Sequence, residues 1–466
     1  MLADFASDLG DVAKRRKLVW VTRFKKPINK YRLFLCNHSE HMFCINDILQ
    51  LNLSLRKLFD TINSNGGIDK MKLLHTADWH IGRTLNGYSL LDEQEHAFDQ
   101  ILQIAKDEQV DGIVIAGDIY DRAVPSSDAV TALDKMLREI NLENNIPIYA
   151  ISGNHDSAKR LNYGREWMAY TNFHLNTLIG ESFTPIETDD VQIFMLPFFD
   201  PLDARVYYQE QGLPEDEVKD ITTIGQAMQL VVADMVKLFD PNKKHLLITH
   251  FAVTPNQDTD IELTSETTSK VGGLATVTTD HFKDFDYVML GHIHTRFASP
   301  SETVRYSGSP VKFNVKEARL KNKAKGVDIV TIDDKKISHK FVPLTPQTDL
   351  IVLDEDWQTL CDADFYKQYP VNKDWFAITI QNFKRSEHVQ TNVRSELQKR
   401  YGTIVELDYQ LDQEELDEQN ITTNINEISP EETVDQFFHS ITGEDLSDRQ
   451  KTIVDSIFNE VERDNK

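Results

Sequence analysis

Met71-Lys-Leu-Leu-His-Thr-Ala-Asp-Trp-His-Ile-Gly82 begins as a short apolar run and ends abruptly on an aspartate and a histidine two positions apart. It reads as a buried strand that delivers two metal-ligand side chains at its tip. Four later runs repeat the plan: Val110-Asp-Gly-Ile-Val-Ile-Ala-Gly-Asp-Ile-Tyr-Asp121, Ile146-Pro-Ile-Tyr-Ala-Ile-Ser-Gly-Asn-His-Asp156, His245-Leu-Leu-Ile-Thr-His250 and Tyr287-Val-Met-Leu-Gly-His-Ile-His294. Strand-like runs that each finish on a ligand-type side chain place a site at one edge of an α/β sheet. A single histidine among the 15 present is more often a surface or satisfied core residue. His96, His174, His281, His339, His388 and His439 read that way, because none ends an apolar strand.

The 466 residues suffice for one large domain and one or two smaller ones. Composition is that of an ordinary soluble globular protein. No stretch is apolar for long enough to span a bilayer, and the first thirty residues lack the apolar centre of a secretory signal. A cytoplasmic location is the expectation. Cys36, Cys44 and Cys361 fit neither a CxxC metal pair nor a disulfide framework. A net charge of -25 would argue against a nucleic-acid partner if it were spread evenly. Residues 1–70 carry 12 basic against 7 acidic residues, and residues 412–466 carry 4 against 16. An acidic total can therefore hide a locally basic groove, and bound cations offset carboxylates where they cluster.

Residues 1–70 show no sustained period and read as a disordered or non-native extension. Met71 is the expected true start: it opens directly into the first strand, and codons for Gly66-Gly67 could hold a purine-rich ribosome-binding sequence. Ser89-Leu-Leu-Asp92 predicts a helix start, with Phe98, Ile101, Leu102 and Ala105 on the buried face. Pro125-Ser-Ser-Asp128 predicts another, with Val130, Leu133, Leu137 and Ile140 inward. Strands at 112–116 and 146–151 alternate with these helices, so an open sheet with covering helices is expected. A strand from Gln192 to Pro197, an irregular acidic insert and a helix near 224–239 follow. Residues 254–279, rich in Ser, Thr and Gly, form a long loop that is either a functional flap or plain disorder.

Between Lys312 and Lys325 six basic residues accompany one acid, Glu317. They form a solvated hairpin face or a rim for a phosphate backbone. Pro343–Pro346 marks a boundary, after which residues 344–411 read as a small α+β module and 412–426 as an acidic linker. Two amphipathic helices, Pro430–Ile441 and Ser447–Val461, close the chain. Their apolar faces, with Val434, Phe437 and Phe438 on one and Ile453, Ile457 and Val461 on the other, should dock on the main body or on a partner. The acidic tether favours the partner.

The ligand-type residues at the strand tips are Asp78, His80, Asp118, Asn154, His250, His292 and His294. The set mixes oxygen with imidazole and holds no thiolate, which suits Mn(II), Fe(II) or Zn(II) and disfavours calcium. Seven ligands exceed the needs of one ion. Two ions bridged by one carboxylate fit better, and such pairs serve in-line displacement at phosphorus.

In chain order, Asp-x-His, Gly-Asp-x-x-Asp, Gly-Asn-His-Asp, a lone His and Gly-His-x-His resemble the five signatures of the calcineurin-like metallophosphoesterases. Within that superfamily, Ala77-Asp-Trp-His-Ile-Gly-Arg83, Gly117-Asp-Ile-Tyr-Asp-Arg122 and Gly153-Asn-His-Asp-Ser157 are similar to the SbcD-type nuclease subunits. The similarity runs from about Met71 to the C-terminus. It implies an α/β fold, a calcineurin-like β-sandwich flanked by helices, over 71–343, followed by an α+β DNA-capping domain over 344–411. Residues 412–466 are then an acidic linker and a helix pair that binds an SbcC-type coiled-coil ATPase. The implied activity is a Mn(II)-dependent nuclease that cuts DNA phosphodiesters in repair and recombination, as double-strand exonuclease and single-strand or hairpin endonuclease. The implied assembly is a homodimer within a heterotetramer.

Carried over by position, the resemblance places Asp78, His80, Asp118 and His294 around one ion and Asp118, Asn154, His250 and His292 around the other. Asp118 is then the bridge. His155 becomes the general acid for the leaving sugar oxygen. Asp121, where some relatives have histidine, is expected to orient His155 through its carboxylate, and Asp156 joins the catalytic group. Arg83 and Arg160 contact phosphate or else form surface salt bridges. The chain has no Gly-x-x-x-x-Gly-Lys-Ser/Thr loop, so ATP dependence must come from a partner. Two other readings keep the same residues: an enzyme acting on a small phosphodiester or phosphoprotein, and a non-catalytic scaffold. The capping module and terminal helices speak against the former, the complete ligand set against the latter.

Overall fold

Three strands form where the alternation predicts them, at 71–76, 112–116 and 148–151, and a fourth at 173–176, which it does not predict, joins them. β1 (Met71–Thr76), β2 (Gly112–Ala116), β3 (Ile148–Ile151) and β4 (Phe173–Asn176) run parallel, each paired with the next. The chain then leaves for a second sheet made of β5 (Ile186–Glu187), β6 (Val191–Leu196), β7 (Lys244–His250), β8 (Tyr287–Gly291) and β9 (Val304–Tyr306). All its pairs are parallel except β5 with β6. Finally β10 (Gly326–Ile332) returns to the first sheet antiparallel to β1, and β11 (Ile337–Pro343) pairs antiparallel with β10. The first sheet reads β11-β10-β1-β2-β3-β4 and the second β9-β8-β7-β6-β5. This computed structural model describes residues 70–255, 277–320, 324–333, 336–384 and 392–411, together with 433–435, 437–439, 446–454 and 458.

The open sheet read from the alternation is a pair of sheets, in keeping with the β-sandwich that the family resemblance implies. The physical reason is that β2, β3 and β6 are buried at every position, so both faces of each sheet need cover. Leu73, Val114, Ile151, Ile193, Ile248 and Met289 fill the layer between the sheets. On the outer face of the first, α1 (Leu91–Asp107) and α2 (Ser127–Arg138) set Phe98, Ile101 and Met136 against Leu74, Ile113 and Ile148. On the outer face of the second, α3 (Pro201–Glu210) and α4 (Ile224–Val236) set Ala204, Met228 and Val231 against Phe194, Leu247 and Leu290. The result is a helix-flanked β-sandwich.

Local signals are read with small shifts. α1 buries Phe98, Ile101, Leu102 and Ala105 as expected, but Leu90 takes its N-cap position without a side-chain cap. Ser89 sits in the short strand Tyr88–Ser89, and its Oγ accepts from the Leu91 N–H at 3.2 Å. α2 is capped by Ser126, and its inward ridge is Ala129, Ala132, Leu133 and Met136, with Val130 exposed. Small residues face inward because a Cβ on Gly82 would lie 2.7 Å from Ala129 Cβ; only an alanine ridge lets α2 come that close. The acidic insert holds α3, capped by the Asp200 carboxylate, and a short helix, Glu215–Asp220. The stretch from Lys312 contains a short helix, α5 (Val315–Arg319), rather than a hairpin.

Beyond β11, β12 (Leu350–Asp356), β13 (Trp375–Phe383) and β14 (Thr403–Leu411) make a parallel sheet of their own. One face packs Phe376, Ile378 and Ile404 on Leu397 and Tyr401 of α6 (Val393–Tyr401). The other face joins the core under α1 through Leu350, Ala377 and Val405. Residues 433–435, 437–439 and 448–454 are helical. Residues 1–69, 256–276, Lys321 to Lys323, 385–391, the 412–426 linker, Ile457 and Val461 lie outside the described residues. Among the described residues no helix is long and apolar enough to cross a membrane.

Candidate metal centre

The ends of β1 and β2 leave their sheet together. The Asp78 N–H donates to Gly117 O at 3.0 Å, His80 N–H to Asp118 O at 2.9 Å and Ile81 N–H to Ile119 O at 3.0 Å. This course requires left-handed backbone at Asp78 (φ 53°), His80 (φ 44°) and Asp118 (φ 49°), and the turn after β8 requires it at His292 (φ 94°), a strain that side-chain-bearing residues carry only when their surroundings enforce it. Gln94 of α1 is one enforcer. Its Nε2 donates to Trp79 O and His80 O at 2.9 and 2.7 Å, and its Oε1 accepts from the Gly82 N–H at 3.1 Å. Two motif glycines admit close approach: a Cβ on Gly153 would stand 2.2 Å from Asp118 Oδ1, and one on Gly291 1.8 Å from Ala116 O.

All seven ligand-type residues meet here. Asp118 Oδ2 lies 3.2 Å from His250 Nε2 and 3.5 Å from His80 Nε2. His80 Nε2 and His294 Nε2 are 3.1 Å apart. Asn154 Oδ1 is 2.8 Å from His292 Nδ1 and 3.1 Å from His250 Nε2. Asp78 Oδ1 accepts from the His292 N–H at 2.9 Å, while its Oδ2 is buried without a hydrogen-bond partner. Asp78, His80 and His294 can offer ligand atoms within 4.8 Å of one another, and so can Asp78, Asp118 and His250.

The donors fit divalent cations. His250 Nδ1 donates to Ala116 O at 2.7 Å and His294 Nδ1 to Glu317 Oε1 at 3.0 Å, which turns both Nε2 atoms inward. Burial holds the His80 imidazole well below its usual pKa and brings His292 down to about 3, with the His250 charge adding to the latter. Burial also raises the Asp78 carboxyl. At Asp118 burial acts in the same sense, but His250 and His80 outweigh it and hold the carboxyl well below the usual range. His250 is pushed up to about 9, because Asp118 and then Asp78 overcome its burial. The two carboxylates thus call for positive charge at the point where the imidazoles converge. The unpartnered Asp78 Oδ2 has the same need.

Asp121 and His155 stand beside these ligands and can offer ligand atoms within 4.8 Å of one another and of His80. His155 Nδ1 donates at 2.9 Å to the main-chain oxygen of Asp121, not to its carboxylate. That carboxylate accepts instead from Arg83 Nη1 at 2.9 Å and Arg122 Nη2 at 3.3 Å. His155 Nδ1 thus reaches Asp121 through its main chain, while the Asp121 carboxylate is held by Arg83, itself 5.3 Å from the Phe313 ring. The His155 ring stands edge-on to His80 at 4.7 Å. Asp156 accepts from the N–H groups of Ile119, Tyr120 and Gly153 at 2.9 to 3.0 Å and so ties two site loops together. Burial, with the Asp118 charge behind it, raises its carboxyl to about 7. Arg160 is exposed on the short helix Ala158–Leu161 that leaves the His155 loop. Among the described residues of the basic stretch, Lys312 pairs with Asp349, Arg319 with Asp354 and Lys325 with Glu317.

Two site residues escape a reading of the motifs. Gln94 lies four positions before Phe98 on the inward stripe of α1, so a polar residue within an apolar stripe was its signal. Glu317 is the acid three positions after Asn314, whose side chain caps α5. Burial would raise the Glu317 carboxyl, but Lys325 and His294 hold it at about 2.

The calcineurin-like phosphoesterase family matches residues 71–296. The chain is similar to the SbcD subunit of the nuclease SbcCD from Staphylococcus saprophyticus, with 32% identity over 387 residues, 83% of this chain and 97% of that protein. It is also similar to the SbcD subunit of the nuclease SbcCD from Staphylococcus epidermidis, with 36% identity over 291 residues, 62% of this chain and 74% of that protein. A solved structure of a dimetal phosphatase from Danio rerio covers 59% of this chain and 96% of its own, at 12% identity and a TM-score of 0.35, too loose a likeness to bear on the fold.

Proposed function

Because the chain belongs to the SbcD family of calcineurin-like phosphoesterases, we propose that it is the nuclease subunit of an SbcCD-type complex, a metal-dependent phosphodiesterase that cleaves DNA. The observation that carries this reading is the convergence of two carboxylates, an amide and four imidazoles at the joined strand ends, with Asp78 Oδ2 unpartnered among them.

In this reading Asp78, His80, Asp118 and His294 hold one Mn(II), and Asp118, Asn154, His250 and His292 the other. When bound, the pair supplies Lewis-acid polarisation of the phosphate and an activated water. His155, with Nδ1 committed to Asp121 O, turns Nε2 to the leaving sugar oxygen and hands it a proton. Asp121 acts on His155 through its main chain and on Arg83 through its carboxylate, and Asp156 keeps the two loops in register. Arg160, exposed beside the His155 loop, meets a backbone phosphate.

Residues 71–343 form the nuclease domain, 344–411 cap the DNA, and 412–466 bind an SbcC-type coiled-coil ATPase. A homodimer within a heterotetramer is supported by Tyr163, Trp167 and Tyr170, which are 79, 70 and 87% exposed just after the His155 loop; aromatic area of this kind is what protein interfaces bury. A cytoplasmic location is part of the same proposal.

The test is a nuclease assay on the full chain with Mn(II), using end-labelled duplex and hairpin DNA, with and without the ATPase partner. The wild type should cut, chelation should stop it, and His155→Ala should lose about 10²- to 10⁴-fold in rate. Turnover of a small chromogenic diester without DNA cleavage under any of these conditions would put the small-phosphodiester reading in its place.

A further inference from the structure

We infer that Glu317, neutralised by Lys325, is a positioning residue for His294 and strengthens the metal position that His294 serves. The inference rests on the metal-centre reading above. His250 and His294 both present Nε2 inward, but their Nδ1 partners differ in kind. His250 donates to a neutral peptide oxygen, Ala116 O, at 2.7 Å, and His294 to a carboxylate, Glu317 Oε1, at 3.0 Å. A charged acceptor makes the stronger bond and raises the donor strength of the imidazole it holds.

The carboxylate is itself fixed from every side. Glu317 Oε1 also accepts from Asn314 Nδ2 at 2.9 Å, and Oε2 accepts from Lys325 Nζ at 2.6 Å and from the Phe313 N–H at 3.3 Å. The remaining two Lys325 ammonium protons go to His294 O at 2.8 Å and Ser309 Oγ at 2.7 Å. One ammonium therefore grips both the backbone of the ligand and the side chain that orients it. The Glu317 and Lys325 side chains are 1% and 14% exposed. Capping a helix as short as α5 does not require a buried ion pair, and such pairs add little stability over apolar residues of similar size. Orientation of His294 is the task that accounts for both charges.

Mn(II) titration of the metal-free full chain by calorimetry, with Co(II) absorption as a spectroscopic readout, tests this on wild type, Glu317→Asp and the double variant Glu317→Gln/Lys325→Met. The double variant removes both buried charges together, which protects the fold; circular dichroism checks it. The wild type should bind two ions. The double variant should bind one with wild-type affinity and the other about 10- to 100-fold more weakly, with an altered Co(II) spectrum. Glu317→Asp, whose carboxylate is drawn back by one methylene, should fall between them. Wild-type affinity and an unchanged Co(II) spectrum in the folded variants would overturn the inference. A wild-type chain that binds no metal would instead overturn the metal-centre reading beneath it, so the two failures are distinct.

Discussion

His155 Nδ1 donates to a main-chain oxygen, so changing the Asp121 side chain leaves that bond intact. Asp121→Asn should therefore keep full metal content and lose less than about tenfold in turnover, whereas His155→Ala keeps its metal and loses far more. Paired turnover and metal analysis checks both. His75 supports a prediction about pH. It is fully buried, its Nε2 donates to Leu290 O at 3.1 Å, and burial, with Arg305 adding, lowers its pKa to about 3. A folded-state pKa below the unfolded value of about 6.5 means that the unfolded chain takes up a proton the folded chain refuses. Stability is thus complete above about pH 6.5 and falls towards pH 3, by about 2 kcal/mol for this group at pH 5. His75→Gln should remove about that much of the difference between urea unfolding at pH 7 and at pH 5. The seven ligand-type residues were legible because each ends an apolar run. Glu317 was not, because an acid buried against a histidine 23 positions away looks in sequence like any acid within a basic stretch.

At the scale of elements, the loop after β3 is pressed against the end of β2. Gly153→Ala would put a Cβ 2.2 Å from Asp118 Oδ1 and 2.4 Å from Asp118 N, and neither can retreat, because Asp118 also sits in left-handed backbone. The variant should lose metal stoichiometry and about 1–3 kcal/mol of stability, read by metal analysis and thermal unfolding. The strands that end on ligand-type residues were legible because buried parallel strands are nearly continuous apolar runs, whereas Phe173–Asn176, Gly326–Ile332 and Ile337–Pro343 were not read. Their division into two sheets came only through the family resemblance, since the runs look alike whichever sheet they join; what separates them is that Ile193, Met195 and Ile248 face Leu73 and Val114 across the sandwich. The inward face of α2 was misjudged at Val130 because close packing on Gly82 favours alanine over the larger apolar residue.

For the whole molecule, Asp78 and Asp118 stand in a pocket lined by imidazoles, and the proposed cations there would stabilise the folded state. Chelation should lower the stability of the full chain, and Mn(II) at a hundred times its dissociation constant should restore about 2.7 kcal/mol for each site filled, read by denaturant unfolding. The small module after Pro343 shares its core with α1 through Leu350, Ala377 and Val405, a connection that no local pattern announces because it joins segments far apart in sequence. The central claim is that Asp118 stands between two ions held by the seven residues. Anomalous diffraction from Mn(II)-loaded crystals tests it most directly. The account predicts two peaks, one among Asp78, His80, Asp118 and His294 and one among Asp118, Asn154, His250 and His292. A single peak, or peaks away from Asp118, would contradict it.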